Sequence, residues 1–550
     1  MISENDTVES LALLGDEAIA LGAMHAGLSA AYGYPGTPST EILTYLIGKS
    51  SGKFTAKWCS NEKTAMEAAL GASFSGKRAL VTTKHVGINV AADPFMSAAL
   101  LDIHGGLVIV VADDPGMHSS QGEQDSRFYS SFAMIPCLEP RNQQEAYDMC
   151  REAFFLSEMF HIPVLLRLVT RLAHARAAVK TLAILEQNPL SKMRDKTRWM
   201  LIPVFARRNY AILLDKQKDI LEWSLSNKAN NLEIEGRDQS FAIITSGLGG
   251  NYYEDNLDDL VKSRGGKKPA HLHIGTYPIP QEKIRRLCEK AEKVLVIEEG
   301  QPFIEERLRG ILPQNIVING KLDGTLVRSG ELDPDNVRKA LNLSPRPSIL
   351  ENGLNIPALP GRPPQLCRGC SHIDSYKVLN EVVAKLDPIE NRPNTAICSD
   401  IGCYSLGATP PYNAIETVIS MGASIGMARG AADAGMKYSL AVIGDSTFFH
   451  SGITCLVDAV QSDVPITVII LDNSAVAMTG CQETIVPSDD LKGLVLGLGV
   501  KKEHYVELEA SPRSHEGNVD KLKMEIEYRG VSVVVFRREC LEVIRKRRKS

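Results

Sequence analysis

The sequence predicts an α/β protein of several domains, built on doubly wound parallel sheets. Short apolar segments rich in β-forming residues alternate with helix-like segments through most of the 550 residues, and this alternation is the βαβ pattern of such sheets. At about 150 residues per domain, the length suggests three or four domains. The apolar fraction of 44% and the charged fraction of 23% are typical of globular proteins and exclude a disordered, collagen-like or coiled-coil chain.

Seven segments are predicted to be buried parallel strands, because each is short, apolar and bounded by polar residues or glycine. They are Ala79–Thr83, Gly106–Ala112, Ser240–Ser246, Ala270–Gly275, Lys293–Glu298, Ser439–Gly444 and Pro465–Asp472. Helix-like segments lie between them, for example Asn142–Phe155 and the segment from about Gly452 to Gln461.

The strands fall into three groups, which predict three αβ domains. We expect these at 1–180, 236–342 and 360–550. Residues 181–235 are rich in Lys and Arg and are predicted to be an irregular linker. Residues 343–359 belong to a proline-rich stretch, which suits an extended crossing between domains.

The net charge and the cysteine content limit the kinds of binding partner that we expect and the cellular compartment. The net charge of −5 and the isoelectric point near 6.2 do not indicate the excess of basic residues that is typical of nucleic-acid-binding proteins. No apolar run approaches the ~20 residues that cross a membrane, and the acidic first residues do not resemble a secretory signal. Eleven cysteines are too few for a disulfide scaffold, so we expect reduced thiols in the cytoplasm, with no nucleic-acid or membrane partner.

A carboxylate and an amide follow two consecutive predicted strands near the C-terminus. Asp445 and Asn473 are 28 positions apart, and one helix lies between the two strands. Because open αβ sheets bind ligands at the carboxyl ends of their strands, we expect these side chains to meet there. Oxygen donors suit Mg²⁺, and the backbone carbonyl of Ala475 can add a third. The helix after Ser446 would direct its N-terminal amides at a diphosphate.

Together with Gly444, this pair resembles the thiamine-diphosphate signature. Over nearly its whole length the chain resembles the 2-oxoacid:ferredoxin oxidoreductases, and most closely the large (alpha) subunit of the indolepyruvate ferredoxin oxidoreductases. The segments that carry this resemblance are Tyr34–Glu41, Asn61–Lys63, Lys84–Asn89, Ala112–Gly116, Ser119–Arg127, Arg362–Pro364, Asp400–Cys403, Met421–Ser424, Gly444–Phe449 and Ala477–Gly480.

The resemblance implies sheets of the thiamine-diphosphate-binding type and a role for each domain. The N-terminal domain would bind the pyrimidine side of thiamine diphosphate, and the middle domain would be of the transketolase C-terminal type. The C-terminal domain would bind Mg²⁺ and the diphosphate. Its implied cofactor contacts are Gly402, Cys403, Met421, Gly422, Gly444, Asp445, Ser446, Asn473, Ala475, Met478 and Thr479.

Four N-terminal residues are candidates for catalysis. The resemblance implies that the Glu62 carboxylate hydrogen-bonds the aminopyrimidine, with Glu67 as the rival. It also implies that the Thr37 hydroxyl binds the substrate carboxylate, although Thr is equally common in turns and at helix starts. Lys84 and His85 follow a strand, where a cation would help to bind an anionic 2-oxo acid. His85 is equally well explained as a buried structural residue.

Four cysteines provide the number of thiolates that a [4Fe–4S] cluster needs. By resemblance they are Cys367, Cys370, Cys403 and Cys540. Cys398 and Cys481 remain as alternative ligands. Zinc is the alternative metal, although the intervening stretches are long and αβ-like, and four ordinary buried thiols are the third possibility.

The resemblance implies oxidative decarboxylation of a 2-oxo acid to an acyl-CoA, with an aryl pyruvate such as indolepyruvate favoured. Electrons would pass through the cluster to ferredoxin or another carrier, and a small gamma- or beta-type partner subunit is implied, in a homodimer or heterotetramer. The family usually continues into a C-terminal ferredoxin-like domain, whereas this sequence ends soon after Cys540, so we expect the onward carrier to be another protein. A non-oxidative thiamine-dependent decarboxylase and a non-catalytic scaffold subunit are the alternatives.

Overall fold

A computed structural model of the protein describes residues 9–192, 195–346, 365–390 and 392–548. The chain divides into two units, Met1–Ile356 and Pro357–Ser550. Most of the predicted linker 343–359, and the motif Arg362–Pro364, lie outside the described residues. None of the helices described is long and apolar enough to span a bilayer.

The N-terminal unit contains fourteen strands within its described residues. They are β1 (Ser10–Leu14), β2 (Ala30–Gly33), β3 (Thr55–Trp58), β4 (Ala79–Lys84), β5 (Leu107–Asp113), β6 (Cys137–Leu138), β7 (Val164–Val169), β8 (Arg176–Lys180), β9 (Asn231–Glu233), β10 (Asp238–Ser246), β11 (Pro269–Ile274), β12 (Thr276–Tyr277), β13 (Lys293–Ile297) and β14 (Val317–Asn319).

The α-helices of this unit lie mostly between consecutive strands. They are α1 (Gly15–His25), α2 (Thr40–Lys49), α3 (Glu62–Phe74), α4 (His85–Val90), α5 (Ala92–Ala98), α6 (Arg127–Ala133), α7 (Gln143–Phe160), α8 (Thr170–His174), α9 (Pro203–Ser226), α10 (Gly249–Glu254), α11 (Leu257–Ser263), α12 (Gln281–Cys288), α13 (Phe303–Leu308) and α14 (Pro334–Ala340).

These strands form two main sheets. One has seven strands in the order β12-β6-β7-β5-β4-β2-β3, and the other has five in the order β14-β13-β10-β11-β9. Only the edge strands β12 and β9 run antiparallel to their neighbours. Strands β1 and β8 form a separate antiparallel pair. The predicted parallel αβ architecture is therefore confirmed for this unit.

The C-terminal unit is built around one six-stranded sheet in the order β16-β15-β17-β18-β22-β21, and all its neighbours pair in parallel. The strands described in this unit are β15 (Thr395–Ser399), β16 (Thr417–Val418), β17 (Tyr438–Gly444), β18 (Ile466–Asp472), β19 (Ala475–Val476), β20 (Gln482–Glu483), β21 (Tyr505–Glu509) and β22 (Ser532–Arg537). Its α-helices are α15 (Ser371–Leu386), α16 (Ala423–Asp433), α17 (Asp445–Thr447), α18 (Ile453–Ser462), α19 (Leu491–Gly497), α20 (His515–Glu527) and α21 (Leu541–Arg547).

The predicted strands are present, and their central residues are largely buried. Every residue of β5, β17 and β18 is buried, as expected of central parallel strands. The segment 181–235, which we expected to be irregular, contains the 24-residue helix α9. Its basic residues obscured the apolar positions that this helix turns inward, among them Leu213 and Ile220. The three domain boundaries stay predictions.

A network of buried charges joins the two sheets of the N-terminal unit. Arg167, on β7, donates to Asp113 at the end of β5 (Nε–Oδ2, 2.6 Å) and also pairs with Glu139. Arg127 contacts Glu298, just after β13 of the other sheet (Nη1–Oε2, 3.0 Å). All five side chains are buried, so each charge depends on its partners for stability.

We predict that Arg167→Ala strongly destabilises the protein, because it leaves Asp113 buried without its cation and leaves Glu139 with only the more distant Arg127. The free energy of unfolding in urea should fall by about 3–5 kcal/mol. Arg171→Ala is the matched control, since Arg171 pairs with Glu331 at the surface, and its loss should cost less than about 1 kcal/mol. Equal effects of the two changes would contradict this interpretation of the network.

Candidate active site

Three of the sequence-predicted residues of the N-terminal unit lie at one edge of its seven-stranded sheet. Thr37 follows β2, Glu62 follows β3 and Lys84 ends β4. These strands are adjacent and parallel, with β2 between the other two. Parallel pairing therefore brings the three residues to neighbouring strand ends.

Glu62 is held close to the backbone of helix α4. It is the first residue of α3 and is only 6% exposed. A Cβ atom added to Gly87, in α4, would lie 2.4 Å from Glu62 Oε1 and 2.2 Å from Thr83 Oγ1. A methyl group at this position would force Glu62 Oε1 and Thr83 Oγ1 to move, so Gly87 leaves the space that the carboxylate fills. The sequence analysis did not single out Gly87.

The rival carboxylate, Glu67, points to a different environment. Its side chain is 47% exposed and forms an ion pair with Lys63 on the same helix. An exposed pair of this kind is typical of a solvated helix surface. Burial at the strand edge therefore favours Glu62.

Lys84 brings a cation to the same edge. Its side chain packs against Gly36, and its Nζ donates to the carbonyl of Ser119 at 2.9 Å. Burial lowers the pKa of Lys84 to about 8, while Asp114 and Glu62 oppose that shift by stabilising the cation. Below that pH, Lys84 places a positive charge beside the Glu62 carboxylate.

Asp114 anchors the loop that closes this edge, a role that the sequence analysis did not assign. Its Oδ2 accepts hydrogen bonds from the Ser119 N–H (2.8 Å) and the Ser120 hydroxyl (2.7 Å). The Ser119 hydroxyl in turn donates to the Thr37 carbonyl at 3.0 Å. Asp114 therefore holds the turn that carries Thr37. The signal in the sequence that could have identified Asp114 is its position directly after a buried strand.

His85 is turned into the protein. It is 1% exposed, and its Nε2 donates to the Gly122 carbonyl at 2.9 Å. Its Nδ1 has no hydrogen-bond partner among the described residues. These contacts fit a residue that supports the loop after Ser119, and its catalytic role stays a prediction.

In the C-terminal unit, Asp445 and Asn473 occupy neighbouring strand ends. Asp445 follows β17 and Asn473 follows β18, and these strands pair in parallel with Gly444 opposite Leu471. Both side chains are buried. A helical segment starts at Asp445, widens to a π-turn at Phe448–Gly452 and continues as α18.

The electrostatics of this edge suit a divalent cation. Asp445 Oδ2 is buried and has no hydrogen-bond partner among the described residues. Burial, and then repulsion by Asp472, raise the pKa of Asp445 well above its usual range. The amide oxygen of Asn473 accepts from the Ala475 N–H at 3.1 Å, which draws the Ala475 backbone to the same place. Mg²⁺ bound to Asp445 would offset the cost of burying this carboxylate.

The remaining predicted cofactor contacts lie at the starts of helices or within short helical segments. Gly402 precedes a short 3₁₀-helix, and Gly422 precedes α16 with φ 84°. A Cβ at Gly422 would lie 2.5 Å from Ser451 Cβ, so only glycine fits there. Thr479 Oγ1 donates to Gln482 Oε1 at 2.8 Å. Met478 is 50% exposed, and Met421 and Ser446 are partly exposed.

Four cysteines of the C-terminal unit lie near enough to Cys403 to affect its pKa. Burial raises the pKa of Cys403 to about 12, and repulsion by four neighbouring thiols adds to the shift. These neighbours are Cys370, Cys540, Cys367 and Cys481. The main chain ties this group to the predicted magnesium residues, because the Cys540 N–H donates to the Asn473 carbonyl at 3.0 Å.

Cys398 and Cys481, the two alternative ligands, lie in different environments. Cys481 interacts with Cys540, so it is a fifth thiol of the group. Cys398 is buried within β15 and packs in the apolar core. Its thiol forms a hydrogen bond with Thr417. The structure therefore leaves Cys481, and not Cys398, as the alternative to one of the four predicted ligands.

Comparison with protein families identifies both cofactor-binding regions. Residues 21–204 match the family described as pyruvate flavodoxin/ferredoxin oxidoreductase, thiamine diP-bdg. Residues 400–515 match the thiamine pyrophosphate enzyme, C-terminal TPP binding domain. The second match includes Asp445 and Asn473, and the first includes Glu62.

Curated relatives match almost the whole chain. The indolepyruvate oxidoreductase subunit IorA of Archaeoglobus fulgidus is 37% identical over 97% of this chain and 86% of the relative. The chain belongs to the IorA family of indolepyruvate oxidoreductase subunits. Subunit IorA of Methanothermobacter thermautotrophicus is 35% identical over 97% of this chain and 87% of the relative.

A solved structure supports the fold. The 2-oxoglutarate:ferredoxin oxidoreductase from Magnetococcus marinus covers 60% of this chain and 65% of its own, with a TM-score of 0.50 and 17% identity. The predicted family and αβ fold class are thus confirmed, as is the thiamine-diphosphate-binding type. The IorA-family chain is a subunit of a 2-oxoacid:ferredoxin oxidoreductase.

We predict that Gly87→Ala impairs turnover without unfolding the protein, because the added methyl group must displace the Glu62 carboxylate. A displacement of about 1 Å can lower kcat about 10²-fold. Gly71→Ala is the control: Gly71 lies in α3, as Glu62 does, with open space around its Cβ position. This control should keep full turnover and gain about 0.5–1 kcal/mol of stability. Normal turnover of Gly87→Ala would show that Glu62 is not positioned by this contact.

Proposed function

We propose that this chain catalyses the oxidative decarboxylation of a 2-oxo acid to an acyl-CoA and passes the electrons to an iron–sulfur cluster. The observation that carries the proposal is the hydrogen bond between Cys540 and Asn473. It connects the group of thiols directly to the strand end that is proposed to bind the diphosphate. An oxidative enzyme needs an electron acceptor beside its cofactor, and a simple decarboxylase does not.

Thiamine diphosphate, when bound, supplies the electron sink that allows a 2-oxo acid to lose CO₂. The Glu62 carboxylate is proposed to hydrogen-bond the pyrimidine ring and so to control the proton on that ring. Its burial beside Gly87 excludes water and fixes its orientation. Lys84 provides the positive charge that attracts an anionic substrate, and the Thr37 hydroxyl would donate to the substrate carboxylate.

In the C-terminal unit, Asp445, Asn473 and the carbonyl of Ala475 are proposed to hold Mg²⁺. The buried Oδ2 of Asp445, for which the described part of the chain provides no hydrogen-bond partner, supports this assignment. The amides at the start of α17, after Gly444, would stabilise the negative charge of a diphosphate. Residues proposed to contact the cofactor further along the chain are Gly402, Met421, Gly422, Ser446, Met478 and Thr479.

The thiolates of Cys367, Cys370, Cys403 and Cys540 are proposed to hold one [4Fe–4S] cluster, which would supply a one-electron acceptor. Oxidation to an acyl group releases two electrons, so two transfers to an external carrier are needed for each turnover. Ferredoxin, or another carrier, is proposed to receive them. The basic residues of α21 follow Cys540 directly and would attract an acidic carrier.

The names of the relatives favour an aryl pyruvate such as indolepyruvate as the substrate and coenzyme A as the acyl acceptor. Because those names describe a subunit, they support the presence of a partner chain. We propose that this partner is small and that the assembly is a homodimer or heterotetramer. A non-oxidative decarboxylase would not require the grouped thiols, and a non-catalytic scaffold would not require Glu62 and Asp445 to remain buried. Both alternatives therefore explain less of the structure.

Glu62→Gln should lower kcat for 2-oxo acid oxidation by about 10²–10⁴-fold, because an amide cannot control the pyrimidine proton. Binding of thiamine diphosphate with Mg²⁺, measured by calorimetry, should persist. Glu67→Gln is the matched control on the same helix and should keep full turnover. The reverse result, with loss only in Glu67→Gln, would transfer the role to Glu67. Turnover would be followed anaerobically with coenzyme A and a redox dye, over a panel of 2-oxo acids.

Removal of one proposed thiolate ligand should abolish the cluster. Protein purified anaerobically should be brown, with about four iron and four sulfide per chain, and Cys403→Ser should lose both, along with turnover. Cys398→Ser is the control for a buried thiol outside the group and should retain them. Cys481→Ser should retain them too. If Cys481→Ser lost its iron and Cys540→Ser retained it, Cys481 would replace Cys540 as the fourth ligand. A colourless wild-type protein with full decarboxylase activity would support the non-oxidative alternative.

A further inference from the structure

The carboxylate of Asp16 is buried without the partners that a buried charge needs. Asp16 is the second residue of α1 and is 0% exposed. Neither of its carboxylate oxygens accepts a hydrogen bond from a donor among the described residues, and the Glu41 carboxyl group lies within hydrogen-bond reach of it. Buried ionised groups are normally paired or bound to a metal, so this site requires an explanation.

Two further metal-binding side chains face Asp16. They are Glu41, near the start of α2, and His174, the last residue of α8. One ligand atom from each of the three residues lies within 4.8 Å of the other two. His174 Nε2 lies 3.8 Å from Glu41 Oε2. Three elements that are separate in sequence thus converge on one point.

His174 pairs with Glu41, but the charge of Asp16 itself is not neutralised by a basic side chain that the structure describes. Within the described part of the chain, no Lys or Arg forms an ion pair with Asp16, and the nearby Arg176 pairs instead with Glu17. Burial, and then the charge of Glu41, raise the pKa of Asp16 well above its usual range. A cation would remove both the repulsion and the cost of burial.

We propose that Asp16, Glu41 and His174 bind one divalent transition-metal ion, for which Zn²⁺ is the appropriate probe. One imidazole nitrogen and two carboxylate oxygens are ligands that zinc accepts at about 2.0–2.2 Å. A tetrahedral ion with such bonds places its ligand atoms about 3.4 Å apart, which small side-chain rotations would reach here. Glu41 and His174 are partly exposed, so a water molecule can complete the coordination.

The ion would act as a structural clamp on the catalytic edge. Helix α2 starts three residues after Thr37, and Thr170, which begins α8, donates to Asp114 Oδ1 at 2.8 Å. An ion that ties α1 to α2 and α8 would therefore fix the turn of Thr37 and the residue that anchors it. The site shares no residue with those proposed to bind Mg²⁺ or the cluster, and it does not depend on the proposed reaction.

The test compares the zinc content of full-length wild-type protein with that of Asp16→Asn, His174→Gln and the control His104→Gln. His104 is a histidine of the same unit that bonds to Ser191 and lies outside the site. All four proteins would be equilibrated with the same Zn²⁺ buffer and analysed by mass spectrometry of the metal. The thiols contribute equally in all four, so only a difference between the proteins is informative.

We expect about one equivalent less Zn²⁺ per chain in Asp16→Asn and His174→Gln than in wild type and His104→Gln. Added Zn²⁺ should raise the melting temperature of wild type, because it binds only the folded state, and this increase should be smaller in the two site variants. Since His174 is partly exposed, its replacement should not prevent folding even if Asp16→Asn does. Equal zinc content in wild type and His174→Gln would overturn the proposal and leave Asp16 as a protonated acid that hydrogen-bonds Glu41.

Discussion

Parallel strand pairing is the constraint on which the rest of this structure depends. A parallel sheet directs all its strand ends to one edge, so residues far apart in sequence meet there. In the C-terminal unit, the register that sets Gly444 opposite Leu471 makes Asp445 and Asn473 neighbours. In the N-terminal unit, the adjacency of β3, β2 and β4 does the same for Glu62, Thr37 and Lys84.

Buried charge is compensated within the protein at some positions and not at others. In the N-terminal unit, Arg167 and Arg127 compensate the carboxylates around them, so this network stabilises the fold without a ligand. In the C-terminal unit, Asp445 has another carboxylate beside it and an oxygen without a hydrogen-bond partner among the described residues. Such an arrangement favours a bound cation, in keeping with the Mg²⁺ site that we propose.

Sequence analysis predicted the strand ends well and the environments of side chains poorly. Asp445 and Asn473 were found because a strand followed by a polar residue can be recognised in the sequence alone. The family resemblance favoured Glu62, but Glu67 remained a rival, since both belong to one helix-like segment. Burial against Gly87 separates them, and that contact joins residues from two different helices. Helix α9 was missed because its basic residues obscured its few inward-facing apolar positions.

The sequence alone determined the αβ class, the positions of the main strands and the family, since these depend on local apolar runs and on motifs contiguous in the chain. Only the tertiary structure decided which thiols are grouped: Cys398 and Cys403 are five positions apart, yet one is inside a strand and the other is beyond its end. It also decided that Asp16 meets Glu41 and His174. Contacts of this kind arise from the packing of separate elements, and no local pattern in the chain encodes them.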